Sequence, residues 1–141
     1  MVRRIVAAAA VAVLAAVPGA AQDRHKWWAD EKTRQEIGLS AEQAARAEEI
    51  FQASLPRLQE LKSSLDTLEA ELNALIRDNK AEESVVASKI DAVEHVRGEM
   101  SKTRMLMLYR IHRLLTVEQQ DRFKAMMDRM RARRRVGDRS R

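Results

Sequence analysis

The chain has no cysteine, and its 141 residues include only two prolines and four glycines. Without cysteine it can form neither a disulfide nor a thiolate metal site. Helix-breaking residues are scarce, Ala, Leu, Glu, Arg and Lys are abundant, and no stretch shows sustained alternation of β-branched residues. This composition predicts an all-α protein.

The usual motifs of enzyme sites are also missing. The sequence contains no glycine-rich phosphate loop, no nucleophile box and no carboxylate pair set among apolar residues. We therefore expect a protein that is not an enzyme and that needs no cofactor.

The N-terminal segment reads MVRRIVAAAAVAVLAAVPGAAQ, in which Arg3 and Arg4 precede an apolar run and small residues follow it. This three-part layout predicts a secretory signal peptide over residues 1–21, cleaved after Ala21. The apolar run is shorter than the roughly 20 residues that span a bilayer. The predicted location is the periplasm, with an uncleaved signal-anchor as the alternative.

Charge is distributed unevenly along the chain. The net charge is +5, but the stretch from Arg122 to the C-terminus alone holds nine Lys or Arg and two Asp. This basic end could contact an anionic membrane surface or be a solvated helix end, whereas predicted export argues against a nucleic-acid partner.

Apolar residues at steps of three and four predict two long helices. The first starts at Ser40 and fades over residues 77–80. A kink or break is expected near residues 52–56 because Pro56 removes a backbone donor, and the segment should bend rather than end there. The second runs from about Glu82 to Arg113, and the short connection makes the two helices antiparallel. The predicted apolar positions of the two helices are Leu58, Leu61, Leu65, Leu68, Leu72 and Leu75, and Val86, Ile90, Val93, Val96, Met100, Met107, Ile111 and Leu114.

Two shorter helices are predicted beside the long pair, one over about residues 28–37 and one over about residues 117–134. Trp27 and Trp28 are expected to anchor the first of them. The predicted domain therefore covers residues 22–135, and residues 136–141 are predicted to be a disordered basic tail.

Nearly the same pentapeptide occurs twice, as LSAEQ from Leu39 to Gln43 and as LTVEQ from Leu115 to Gln119. In each copy a hydroxyl residue precedes a glutamine by three positions, which is the pattern of a capping box. The glutamate before each glutamine suits the positive end of a helix. The two copies therefore predict two helix starts. The predicted capping residues are Leu39, Ser40, Gln43, Leu115, Thr116 and Gln119.

These two boxes, with WWAD, EIGLSAEQ, Ile90-Asp91 and a methionine-bearing arginine-rich end, resemble the Spy and CpxP family of periplasmic stress proteins. The superfamily of that family also includes heavy-metal sensor and resistance proteins similar to CnrX and ZraP. The resemblance covers about residues 27–134, and Ser40 stands where the family motif has threonine. It implies a four-helix hooked hairpin that forms a homodimeric cradle and acts as a chaperone without ATP. A CpxP-like role in restraining a membrane sensor kinase is a variant of this function.

Most methionines lie in the last third of the chain, and flexible thioethers suit surfaces that adapt to many partners. With neighbouring arginines they predict a concave surface for unfolded or misfolded periplasmic polypeptides; burial by the short helices and a dimer partner is the alternative. The candidate client-binding residues are Met100, Met105, Met107, Leu108, Arg104, Arg110, Arg122, Met126, Met127 and Met130.

The family's metal-binding branch suggests a second function, a periplasmic heavy-metal sensor or resistance protein. Asp91, His95 and Glu99 are spaced four residues apart, so they share one helix face and could offer ligands to zinc or another divalent metal. His112 is a further weak candidate, although no convincing ligand lies one turn from it.

Overall fold

The computed structural model describes residues 26–138. Within this range it contains four α-helices and no strand, which confirms the all-α prediction. A single 3-10 turn, Trp27–Ala29, precedes the helices α1 (Glu31–Ile37), α2 (Ala41–Asp78), α3 (Glu83–His112) and α4 (Val117–Asp138). The predicted signal peptide lies outside the described residues.

The short helix α1 is delimited by side-chain and backbone capping at its two ends. The Asp30 carboxylate accepts a hydrogen bond from the Thr33 backbone N–H at 2.8 Å, which satisfies one unpaired donor of the first turn. At the other end Gly38 adopts the left-handed conformation, with φ 77°, that a glycine cap favours. The chain then turns directly into α2.

The long helix α2 begins and ends where the sequence predicts. Ser40 and Gln43 form a complete capping box, and Asn79 closes the helix in the left-handed conformation. As expected, the helix does not end at Pro56, because α2 is continuous through this residue; the predicted kink stays a prediction. Pro56 and Gln52 both lie on the exposed side of the helix, so water can reach the Gln52 carbonyl that loses its partner.

Helices α2 and α3 pack antiparallel along most of their length. Phe51, near the start of α2, packs in one cluster with Ile111, near the end of α3. Toward the other end, Glu71 of α2 pairs with Lys89 of α3 at 2.5 Å. The second long helix thus lies close to its predicted bounds and returns along the first.

The buried core lies at the end of this helix pair where α2 begins and α3 ends. One cluster there holds Trp28, Ala47, Phe51, Met107 and Ile111. A second cluster joins α1 to α4 through Ile37, Leu115 and Met126. Partly buried Trp27 and Leu39 pack against both clusters.

Helix α4 is longer than predicted. It continues through Asp138, so Val136 and Gly137 are helical and do not begin a disordered tail. The scarcity of apolar residues after Met130 suggested the earlier end, but arginine and alanine are themselves good helix formers. Residues 139–141 lie outside the described residues.

Candidate binding surface

The two similar pentapeptides meet in the structure. Each glutamine first completes its own capping box: the Gln43 side-chain oxygen accepts from the Ser40 N–H at 3.0 Å, and the Gln119 oxygen accepts from the Thr116 N–H at 3.0 Å. The two side-chain amides then pair with each other, at 2.8 and 3.0 Å between nitrogen and oxygen. We call this pair of amides the glutamine junction.

The remaining amide hydrogens of the glutamine junction hold the chain just before the opposite helix. Gln43 donates to the Leu114 carbonyl at 2.8 Å, and Gln119 donates to the Gly38 carbonyl at 2.7 Å. These carbonyls lie at the same offset before the two boxes, so the contacts are related by an approximate two-fold symmetry. Both amides use two donors and two acceptor positions, which is their full capacity.

The junction fixes α4 relative to the long helix pair, because its hydrogen bonds join segments 76 residues apart in sequence. Gln119 is buried, with 9% of its surface exposed. Truncating one amide would leave the other amide and a backbone carbonyl without partners, at a cost of about 1–3 kcal/mol per buried group. The position of α4 therefore depends on this pair.

Gly38 lies beside Arg122, and its positive φ is the feature that favours glycine here. A Cβ atom at Gly38 would lie 2.9 Å from the Arg122 guanidinium, which is the end of a flexible side chain and can move aside. The guanidinium lies 3.5 Å from the Ile37 carbonyl, at the C-terminal end of α1, where a positive charge is favourable. Arg122 thus contacts the end of α1, and its role in client binding stays a prediction.

The N-terminal tryptophans anchor the segment before α1, as predicted. Trp28 is 1% exposed and packs with Phe51 at 5.7 Å between ring centroids. Its indole N–H donates to the Glu48 carboxylate at 2.9 Å. Trp27 packs against Phe123 of α4 at 4.8 Å. The two rings therefore join the helix pair to α4.

Glu48 is the acceptor that holds this anchor in place. Burial, the largest single influence, raises the pKa of its carboxyl, but hydrogen bonds from Gln52, Trp28 and Lys26 and the charge of Lys26 together lower the pKa below its ordinary value of 4.5. The carboxylate therefore stays charged at neutral pH. The Lys26 ammonium also lies 4.3 Å from the centre of the Phe51 ring.

An apolar patch with basic neighbours lies on α3, on the side away from α2. Met105 is 67% exposed, Tyr109 58% and Leu106 43%. In a helix these positions are adjacent on one face, opposite the buried Met107 and Ile111. We call the following exposed residues the outer patch: Lys102, Met105, Leu106, Tyr109, Arg110 and Arg113.

The charge of the outer patch is entirely positive. The sequence has no Asp or Glu between Glu99 and Glu118. Within residues 26–138, Arg110 and Arg113 form no ion pair, and the Arg113 guanidinium lies 5.9 Å from the centre of the Tyr109 ring. This face therefore combines exposed apolar area with cations available to a partner.

The predicted client-binding residues do not form one surface. Met107 and Met126 are buried in the two separate core clusters, so neither belongs to an exposed site. Their helical positions face the core because α3 and α4 each turn one side inward. The other candidates are exposed Arg104, Met105, Arg110, Arg122 and Met130, and half-buried Met100, Leu108 and Met127.

The candidate metal ligands are distributed along α3. Asp91 and His95 are exposed and Glu99 is half-buried. The half-buried His112 packs edge-on against the Phe123 ring at 5.8 Å. No group of three or more His, Cys, Asp or Glu within residues 26–138 is placed to hold a metal ion. Metal binding stays a prediction.

The chain matches no protein-family model, no curated protein and no solved structure. The resemblance to the Spy and CpxP family therefore rests on the order and spacing of short motifs. None of the helices within residues 26–138 has a stretch long and apolar enough to cross a bilayer.

Sequence reasoning missed two features of this region. It treated the two boxes as separate caps, although a capping glutamine has two amide hydrogens left over that need acceptors. The candidate client contacts also include Met105 but not Leu106 and Tyr109, its exposed neighbours in the apolar run MLMLYRIHRLL. The acid-free stretch of sequence around Tyr109 was the available signal.

Proposed function

We propose that the protein is an exported, ATP-independent chaperone that binds unfolded polypeptide on the outer patch of α3. The observation that carries this proposal is the exposure of Met105, Leu106 and Tyr109 side by side among cations. A contiguous apolar patch on a protein surface is a candidate site for binding a partner. The motif resemblance to periplasmic stress proteins adds the expectations of export and of a dimeric cradle.

The chemistry of the outer patch suits a partner without a fixed shape. The cations would attract acidic unfolded segments from a distance, and thioether, leucine and phenol side chains would then make weak, adaptable contacts. Such binding needs no nucleotide because release follows from the weakness of each contact. A hooked hairpin that pairs with a second copy would place two outer patches in one assembly.

Aggregation of a heat-unfolded client tests the proposal. Without nucleotide, the wild-type protein should suppress light scattering at a near-stoichiometric ratio. A variant with Met105→Ser, Leu106→Ser and Tyr109→Ser should lose most of this suppression because it removes the apolar contacts while retaining the cations.

The matched control changes three exposed apolar residues at the other end of the helix pair. Ile76, Val85 and Ile90 are 56%, 50% and 43% exposed. Their replacement by serine should leave suppression unchanged. Equal loss in both variants, or no suppression by the wild type, would contradict the assignment to the outer patch.

A further inference from the structure

The C-terminal half of α4 extends beyond the packed body of the protein. Every residue from 128 to 137 is exposed, whereas Phe123, Met126 and Met127 of the first half pack on α1 and the tryptophan segment. Arg129 is the last residue of α4 with an ion pair to another helix, through Glu36 of α1. Beyond Arg129 every residue up to 137 has an exposed side chain or surface.

This extension of α4 contains four closely spaced arginines. Arg131, Arg133, Arg134 and Arg135 lie within about 6 Å along the helix axis, given the usual rise per residue. We call them the arginine segment. None of the four forms an ion pair within the described residues. Four unpartnered cations at this spacing repel one another, so an anionic partner would stabilise them.

The residue type narrows the chemistry of that partner. Every basic residue after Lys124 is an arginine. Guanidinium groups are weakly hydrated and donate paired hydrogen bonds to phosphate, whereas an ammonium group acts as a compact point charge. A solvated helix end would need only charge, which lysine supplies equally well.

The arrangement around the helix suits an extended surface. At about 100° per residue the four arginines cover roughly half of the circumference, and Met130 lies within the same arc. Met130 is 47% exposed. Ala132 lies on the opposite side. At the surface of a lipid bilayer the phosphate groups lie next to the apolar acyl chains. Guanidinium groups on both sides of one thioether could contact the phosphates while the thioether contacts the apolar region.

We propose that the arginine segment binds the phosphate groups of an anionic phospholipid surface and so holds the protein at a membrane. The outer patch lies on a different helix, α3. This proposal does not rest on the chaperone function. Vesicle binding and client aggregation are separate readouts, so either proposal can fail alone.

Sedimentation with vesicles of phosphatidylglycerol and phosphatidylcholine tests it on the full chain. Changing all four arginines to glutamine should weaken vesicle binding by about 100- to 1,000-fold, since the four cations contribute similar amounts to the free energy of binding at an anionic surface. Wild-type binding should fall steeply with added salt. Four lysines in the same positions should restore part of the affinity but less than arginine does.

The matched control removes four exposed cations elsewhere, through Lys32→Gln, Arg57→Gln, Lys62→Gln and Lys80→Gln. It has the same net charge as the four-glutamine variant and should bind nearly as tightly as wild type. Every variant carries the same N-terminal apolar run, so differences between variants report on the substituted cations. Circular dichroism checks that each variant is folded.

Three results would overturn the proposal. The four-glutamine variant could bind the vesicles as tightly as wild type, or the control could lose as much affinity as that variant. Alternatively, wild type could bind polyglutamate but not the vesicles, which would indicate an acidic protein partner.

Discussion

Where α2 begins and α3 ends, Trp28, Phe51 and Ile111 are almost fully buried, and the glutamine junction ties α4 to the same place. At the opposite end no residue from 66 to 92 is buried, and Ile76 and Val85 are at least half exposed. The same two helices are thus stabilised by apolar packing at one end. At the other end surface ion pairs are prominent.

The ion pairs at the weakly packed end contribute little to the free energy of unfolding. Glu71 pairs with Lys89 at 2.5 Å and Glu69 with Arg97 at 2.6 Å, and both partners are exposed enough for water to screen them. Exposed pairs of this kind are worth about 0–1 kcal/mol. Contact between α2 and α3 thus extends along both helices, but most of the apolar packing is at one end.

The largest expected effect comes from removing the tryptophan anchor. Trp28→Ala should lower the free energy of unfolding by about 3–5 kcal/mol because it empties a buried volume and removes one of the three hydrogen-bond donors to Glu48. Ile76→Ala, at the exposed end, should cost less than about 1 kcal/mol. Urea unfolding followed by circular dichroism measures both. If both variants lost a similar amount of unfolding free energy, the two ends of the helix pair would not differ in stability.

The glutamine junction should show coupling between its two members. Gln43→Ala and Gln119→Ala should each cost about 2 kcal/mol, because each leaves polar groups unpaired. The double variant should cost less than the sum by about 1 kcal/mol, since the second change removes the group that the first left unpaired. Gln35→Ala, whose exposed side chain bonds only Glu31, is the matched control. Strict additivity would show that the amides do not interact in solution.

The smallest effect is a dependence on pH at the tryptophan anchor. Folding lowers the pKa of Glu48 below its ordinary value of 4.5, so the contribution of its carboxylate is present above that value. This contribution is lost as the pH falls through the lowered pKa. The stability difference between wild type and Glu48→Gln should therefore shrink in acid. A difference that grows in acid would mean that folding raises the pKa.

Much of the fold was predictable because the local signals are strong. The capping box at Ser40 and the turn at Asn79 gave the ends of α2, and the spacing of leucines gave its buried side. The size of a bend at Pro56 is not predictable in the same way. It depends on whether the carbonyl four residues earlier faces solvent, and this is decided by how the helix packs.

The candidate site was predicted less well than the fold. Residue type alone placed Met105 and Met107 together, but residues two positions apart lie on nearly opposite sides of a helix, so one is exposed and the other buried. The contact between Gln43 and Gln119 depends on the path of the chain between them. Such a contact follows only from the assembled helices.

Client binding on the outer patch can be located by hydrogen exchange of the backbone amides, with and without a saturating unfolded client. We expect the client to slow exchange over residues 101–113 of α3, around the outer patch. Exchange over residues 76–90 should be fast in the free protein and should stay fast, because that end is weakly packed and binds nothing. Protection confined to residues 76–90, or no protection in either range, would contradict the account.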